Sequence, residues 1–171
     1  STGSVTTAGA GSLGIDADTV DGSIGITSGT VGTTGEDAHG IRAYTQTGAV
    51  NITSTAVTTT GDGSRAISVE VAGGPPSIQA PQGALAAAPP ATPPDISVTS
   101  GTASTTGDNS TAIDLDNALG GVFLESGTVS TDGLGSRGID VNAVGDISIV
   151  SLDSVTTLGG ASTGIFAQSN A

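Results

Sequence analysis

Ser28-Gly29-Thr30-Val31-Gly32-Thr33-Thr34-Gly35-Glu36-Asp37-Ala38-His39-Gly40-Ile41 returns later in the chain as Ser126-Gly127-Thr128-Val129-Ser130-Thr131-Asp132-Gly133-Leu134-Gly135-Ser136-Arg137-Gly138-Ile139. Working outward from this pair, Ile15, Ile41 and Ile67 are 26 residues apart, and so are Ile113, Ile139 and Ile165, with a middle gap of 46. Val5, Val31, Val57, Ala103, Val129 and Val155 keep the same spacing, as do Gly9, Gly35, Gly61, Gly107, Gly133 and Gly159. Three columns that share one period and one interruption identify a repeat architecture.

Each repeat holds three short alternating runs separated by Gly, Asp, Asn or Ser, the pattern of strand, turn, strand, turn, strand. A lone coil of this kind cannot bury its apolar face, whereas stacked coils share one core and pair their backbones at about 4.8 Å per layer. The fold class expected is therefore all-β: a single-stranded, right-handed parallel β-helix (β-solenoid) of about six coils with three short strands each. Right-handed winding follows the general preference of parallel crossovers. The left-handed hexapeptide alternative needs a six-residue period, of which 26 is no multiple.

Alternation makes a check on this reading. Two residues after the Ile column stand Ala17, Ala43, Val69, Leu115, Val141 and Ala167, all apolar, as a shared inward face requires. Just ahead of it stand Gly14, Gly40, Ala66, Ala112, Gly138 and Gly164, small residues expected where a bend brings backbones close. Closing runs pair Ile24 with Ile26, Val50 with Ile52, Ile96 with Val98 and Val122 with Leu124. In the fifth coil Ile147 and Ile149 fall one residue out of phase, which predicts a bulge or a longer turn before Val155. The threonines two residues after the Val column, Thr7, Thr33, Thr59, Thr105, Thr131 and Thr157, face inward near a corner, where they are expected to bond to one another or to backbone.

Composition agrees with a stack rather than a compact two-layer core. There are 28 glycines, no Cys, Met or Trp, and only Tyr44, Phe123 and Phe166 as aromatics. A net charge of −13, with Arg42, Arg65 and Arg137 as the only cationic residues, argues against nucleic acid or an anionic membrane as partner. No apolar run reaches the length of a membrane span. Cysteine absence fits a reducing cytosol or a disulfide-free surface protein equally.

The domain expected is a single solenoid over residues 1–171, with a Pro-rich loop at 73–94 inserted in the third coil. All 7 prolines lie there, and proline cannot donate to a ladder. Ile78, Pro81 and Leu85 are the candidate partner-binding residues of that loop. On the outward columns, Asp114, Asp116, Asp140 and Asn142 fall on one face in adjacent coils, a candidate calcium site, because like carboxylates that close attract a cation or raise a pKa. No other cofactor is expected. Asp16 and Arg42 should form an exposed ion pair. The acids after the Gly column, Asp62 and Asp108 among them, suit turns with local backbone bonding. His39, the only histidine, reads as a turn residue and leaves no recurring base for a catalytic triad. The chain reads as no enzyme. Outward Ser/Thr beside the Val column, broken at Gly32 and Ala56, resemble the hydroxyl faces of ice-binding solenoids.

The repeated S-G-T-V-x-T-T-G-x-x-S-x-G-I units resemble the β-strand repeats in passenger regions of bacterial autotransporter-type surface proteins. That resemblance covers the chain except for the proline segment. It implies an extracellular structural or adhesive stalk or filament, at a bacterial cell surface or secreted, with no catalytic residues to carry over. Expected partners are like subunits or further coils of a longer chain stacked end to end, and a host or neighbouring-cell surface; no nucleic acid and no membrane insertion are expected. The alternatives are a binding module acting through the Pro-rich loop and an ice-binding protein using the Ser/Thr face.

Overall fold

A computed structural model describes residues 2–73 and 95–170. The described chain forms a parallel β-solenoid of six turns. Each turn carries one strand in each of two six-stranded sheets. The first sheet contains β1 (Thr2–Ala8), β3 (Ile24–Thr34), β5 (Val50–Thr60), β7 (Ile96–Thr106), β9 (Val122–Asp132) and β11 (Ile147–Leu158). The second contains β2 (Leu13–Thr19), β4 (His39–Thr45), β6 (Arg65–Val71), β8 (Thr111–Asn117), β10 (Arg137–Ala143) and β12 (Thr163–Ser169). Residues 74–94, with Ile78, Pro81 and Leu85, lie outside the described residues.

Every column read from the sequence is a ladder. Ile41 pairs with Ile67, Ile67 with Ile113 and Ile113 with Ile139, across the proline segment without a change of register. Val31, Val57, Ala103 and Val129 align likewise. All eight of these side chains are 0 % exposed. Burial on this scale stabilises each large aliphatic by about 1.5–3 kcal/mol, which lets a chain almost without aromatics hold a core.

The expected three strands per coil become two. The closing run of one coil and the opening run of the next are a single 11-residue strand, as in Ile24–Thr34. Within it the alternation slips by one residue. Ser28 is buried, Thr30 is exposed and Val31 is buried again, so the chain changes facet over Gly29-Thr30. Ser28 and Thr30 still pair with Ser54 and Ala56 of the next layer. A turn would have broken those bonds; a slip of phase does not.

The small column is crowded by backbone, as expected, and by the facing sheet as well. A Cβ on Gly40 would stand 2.3 Å from Cγ1 of Val57, and one on Gly14 would stand 2.6 Å from Cγ1 of Val31. The Cβ on Gly14 would also stand 2.5 Å from the carbonyl oxygen of Gly40 in the next layer, so neighbouring backbone and the opposite sheet's valines together leave room only for small residues. The inward Thr column is also as placed, but its hydroxyls have no hydrogen-bond partner: Oγ1 of Thr33, Thr59, Thr105 and Thr131 is buried and unbonded. The methyl of Thr33 points at Gly14 on the facing sheet, and backbone acceptors of the strand are taken up by the ladder. The fifth coil carries the bulge anticipated for it, a register shift in β11 between Ser151 and Ser154 that leaves Leu152 67 % exposed.

Two kinds of turn close each coil. At the first, after β1, β3, β5, β7, β9 and β11, four residues follow the pattern Gly-x-x-Ser or a near variant. Its glycine has φ between 114° and 152°, and a Cβ on Gly61 would lie 2.0 Å from the carbonyl oxygen of Gly35 in the layer below. Two residues on, Gly11, Asp37, Gly63, Asn109, Gly135 and Ala161 are left-handed, with φ of 52–69°. The turns bond layer to layer through backbone, Gly35 N donating to Thr60 O and Asp37 N to Asp62 O, each at 2.8 Å. The serines add a second ladder. Ser64, Ser110, Ser136 and Ser162 donate to the carbonyls of Gly35, Gly61, Gly107 and Gly133 at 3.0–3.1 Å. Asp62 and Asp108 bond to the next layer rather than locally: their Oδ1 atoms accept from Asp108 N at 2.9 Å and Leu134 N at 2.8 Å. The reason is the stacking itself, which sets the following layer's N–H directly above each carboxylate.

The second turn, after the short strands, adds side-chain caps to backbone bonds between layers, such as Ala118 N to Val71 O and Gly145 N to Gly120 O, each at 2.9 Å. Thr45 Oγ1 accepts from Gly48 N at 3.0 Å, and Asn117 accepts from Leu119 N and Gly120 N while donating to Gly121 O at 2.8 Å. In the third coil the corresponding residue is the buried, apolar Val71, and beyond it Ala72 N and Gly73 N still bond to Thr45 O and Gln46 O of the coil below.

Candidate functional site

Asp114, Asp116, Asp140 and Asn142 do stand together. β8 and β10 align Asp114 with Asp140 and Asp116 with Asn142 on the outer face of the second sheet. Their charge is met by arginines. Arg65 Nε lies 2.8 Å from Asp114 Oδ2, and Arg137 pairs with Asp140 while its guanidinium rests 5.7 Å from the centroid of the Phe166 ring. Asn142 Oδ1 accepts from Asn170 Nδ2 at 2.6 Å. Burial pushes the Asp114 carboxyl above the ordinary range; Arg65 opposes this, and Asp140 and Asp116 add to it. Asp116 is raised too, by burial first and by Asp140 second. Among the described residues no three His, Cys, Asp or Glu side chains converge to hold a metal ion.

Asp16 and Arg42 form the anticipated exposed pair at 3.1 Å. His39 is not in the turn: it opens β4, and its Nδ1 accepts a hydrogen bond from Arg65 N at 3.2 Å. That bond requires the neutral ring, and burial together with Arg65 holds the His39 pKa below its ordinary value.

Sequence reasoning passed over a groove of about 760 Å³ beside the second turn of coils three to five. Phe123, Leu119 and Val144 give it apolar walls, Gly120, Gly121 and Gly145 bring backbone close, and Asp95 and Asp146 stand at its margin. Asp95 Oδ1 accepts from Gly121 N at 3.0 Å. Phe123 could have been found as the one aromatic in an outward column otherwise made of Gly25, Asn51, Ser97 and Ser148.

Sheet faces differ most in charge. The second sheet's outer face carries the ion pairs above. On the first sheet, β3, β5 and β7 contain no charged residue at all. The hydroxyl positions read from the sequence as Thr30, Thr58, Thr102 and Ser104 lie on that uncharged outer face, with Gly32 and Ala56 interrupting it.

No family model matches this chain, and neither a curated protein nor a solved structure matches it.

Proposed function

We propose that this chain is an architectural element of an extracellular protein, a stalk or filament segment built of layers, secreted or held at a bacterial cell surface and related in kind to autotransporter passenger repeats. The observation that carries this reading is the sameness of the inner columns from layer to layer. Ile41, Ile67, Ile113 and Ile139 are aligned and fully buried, so each layer meets its neighbours through the same columns. A layer that meets its neighbours through such columns is a template for another of the same kind. Like coils, from a second copy or from a longer chain, suit it because Ile165, Ala167 and Val155 in the sixth layer belong to the same columns as Ile15, Ala17 and Val5 in the first. A right-handed path of one chain through all layers accords with the general chirality of parallel crossovers.

Electron microscopy and sedimentation across a concentration series, in calcium and in chelator, test the reading. Threads of constant width that lengthen with concentration are expected, and Ile165→Asp should shorten them. Single compact particles at every concentration, unchanged by that substitution, would remove the support for stacking between copies. Dependence of the threads on calcium would bring the Asp114–Asp140 cluster into the assembly.

A further inference from the structure

We propose that the outer face of the first sheet binds ice. Merging of two runs into one 11-residue strand changes what that face is. On the facet beyond Gly29, besides the interrupted columns beside the Val column, it carries one unbroken threonine column over β3, β5 and β7, Thr34, Thr60 and Thr106; a second, Thr27, Thr53 and Thr99, lies on the adjoining facet. Thr30 and Thr102 stand between them on either side of Ala56, and Thr58 fills the column that Gly32 leaves open.

The spacing is set by the fold. Parallel pairing places like residues about 4.8 Å apart along the stack, and alternation places columns roughly 6.6 Å apart along each strand. Threonine is stiff about χ1, so its hydroxyls keep that spacing. No side-chain hydroxyl of Thr30, Thr34, Thr58, Thr60, Thr102 or Thr106 has a hydrogen-bond partner among the described residues, while Ser130 donates to Ser104 at 2.9 Å. A free hydroxyl donates one hydrogen bond and accepts two, the same kinds of bond that water makes.

A repeat in two dimensions is complementary to a solid that repeats in two dimensions; a single small ligand or a flexible chain would use only one patch of it. Absence of charge on β3, β5 and β7, in a chain of net charge −13, removes the strongly hydrated groups that would disorder a water lattice. Glu125 and Asp132 on β9, and Val150 and Leu158 on β11, mark where the hydroxyl columns end. The solid that offers donors and acceptors in equal number to such an array is ice.

The test is ice partitioning and ice-crystal shaping by the purified chain, with Thr58→Tyr and Thr102→Tyr on the proposed face and Ser68→Tyr on the opposite sheet as control. The wild-type chain and the Ser68 variant are expected to concentrate in the ice and facet its crystals; the two Thr variants, with unchanged circular dichroism, are expected to lose both. Exclusion of the wild-type chain from ice overturns the proposal, as does full retention by both Thr variants. Binding to an insoluble polysaccharide without ice partitioning also overturns it, because it gives the face another occupant.

Discussion

The two edges of the solenoid close the same coils by different means. At the first turn the connection has four residues in every coil, from Gly9–Ser12 to Gly159–Ser162. At the second it has four residues in three coils, three in the fifth (Val144–Asp146) and twenty-four in the third (72–95). Backbone conformation holds the first: a positive-φ glycine, a left-handed residue two places on, and bonds from each turn to the turn above. Each turn is a template for its neighbour, so an added residue would disturb three layers. The second also bonds from layer to layer through backbone, Gly145 N to Gly120 O at 2.9 Å among these bonds, but it has no repeated positive-φ frame, and side-chain caps at Thr45 and Asn117 supplement it. That edge can therefore lengthen at the small cost of loop entropy.

The largest effect should come from breaking the templated edge. Gly61→Ala would set a methyl 2.0 Å from Gly35 O at a φ of 131°, and a loss on the order of 3 kcal/mol is expected from strain and overpacking together. Thermal melting would measure it. Replacing residues 74–94 by a short Gly-Ser connection at the other edge should change stability by less than about 1 kcal/mol. A comparable loss from both changes would mean that the edges do not differ in the way described.

Next in size is Ser136→Ala. It removes the donation to Gly107 O at 3.0 Å and the acceptance from Ser110 N at 3.2 Å, and should cost about 2 kcal/mol, since Ser110 N is left buried and Gly107 O half-buried. Asn117→Ala should cost a similar amount, but hydrogen exchange should separate the two. Loss of the Asn117 cap is expected to quicken exchange at Leu119 and Gly120 alone, whereas loss of Ser136 spreads to the turns above and below. Identical spread for both would contradict the local role of the Asn117 cap.

A smaller change, of opposite sign, is expected in the core. Thr59 buries a hydroxyl with no partner, so Thr59→Val should raise stability by about 1 kcal/mol; a fall would mean that the hydroxyl is bonded. The smallest prediction concerns pH. The folded pKa of Asp114 is raised, chiefly by burial, so its contribution is most favourable below the ordinary carboxylate range and is lost as pH rises through the folded pKa. Asp114→Asn should therefore melt higher than wild type at neutral pH, and the difference should close on acidification. A variant that melts lower than wild type at neutral pH would show that pairing with Arg65 outweighs burial.

These contrasts also explain what was legible in the sequence. The Gly column was, because conformation and crowding both admit only glycine there. The Ile and Val columns were, because a shared core demands like side chains at one period. The second turn was not, since Thr45, Val71, Asn117 and Ser169 occupy one column with different solutions to it. Joining of two runs into one strand was also hidden: a phase slip at Gly29-Thr30 and a true turn use the same small and hydroxyl-bearing residues. At the carboxylate cluster the outward columns gave the neighbours along the stack. Arg65, aligned with Thr111 rather than with Asp114, reaches Asp114 on the diagonal, and diagonal contacts leave no trace in a column.

Growth by identical layers at constant cross-section is the central claim, and small-angle scattering of a chain with four extra copies of residues 101–126 inserted after Ser126 tests it directly. The long dimension should rise by roughly 19 Å, four layers at about 4.8 Å each, with the cross-sectional radius unchanged. A wider cross-section, or a profile of unfolded chain from the added copies, would contradict it.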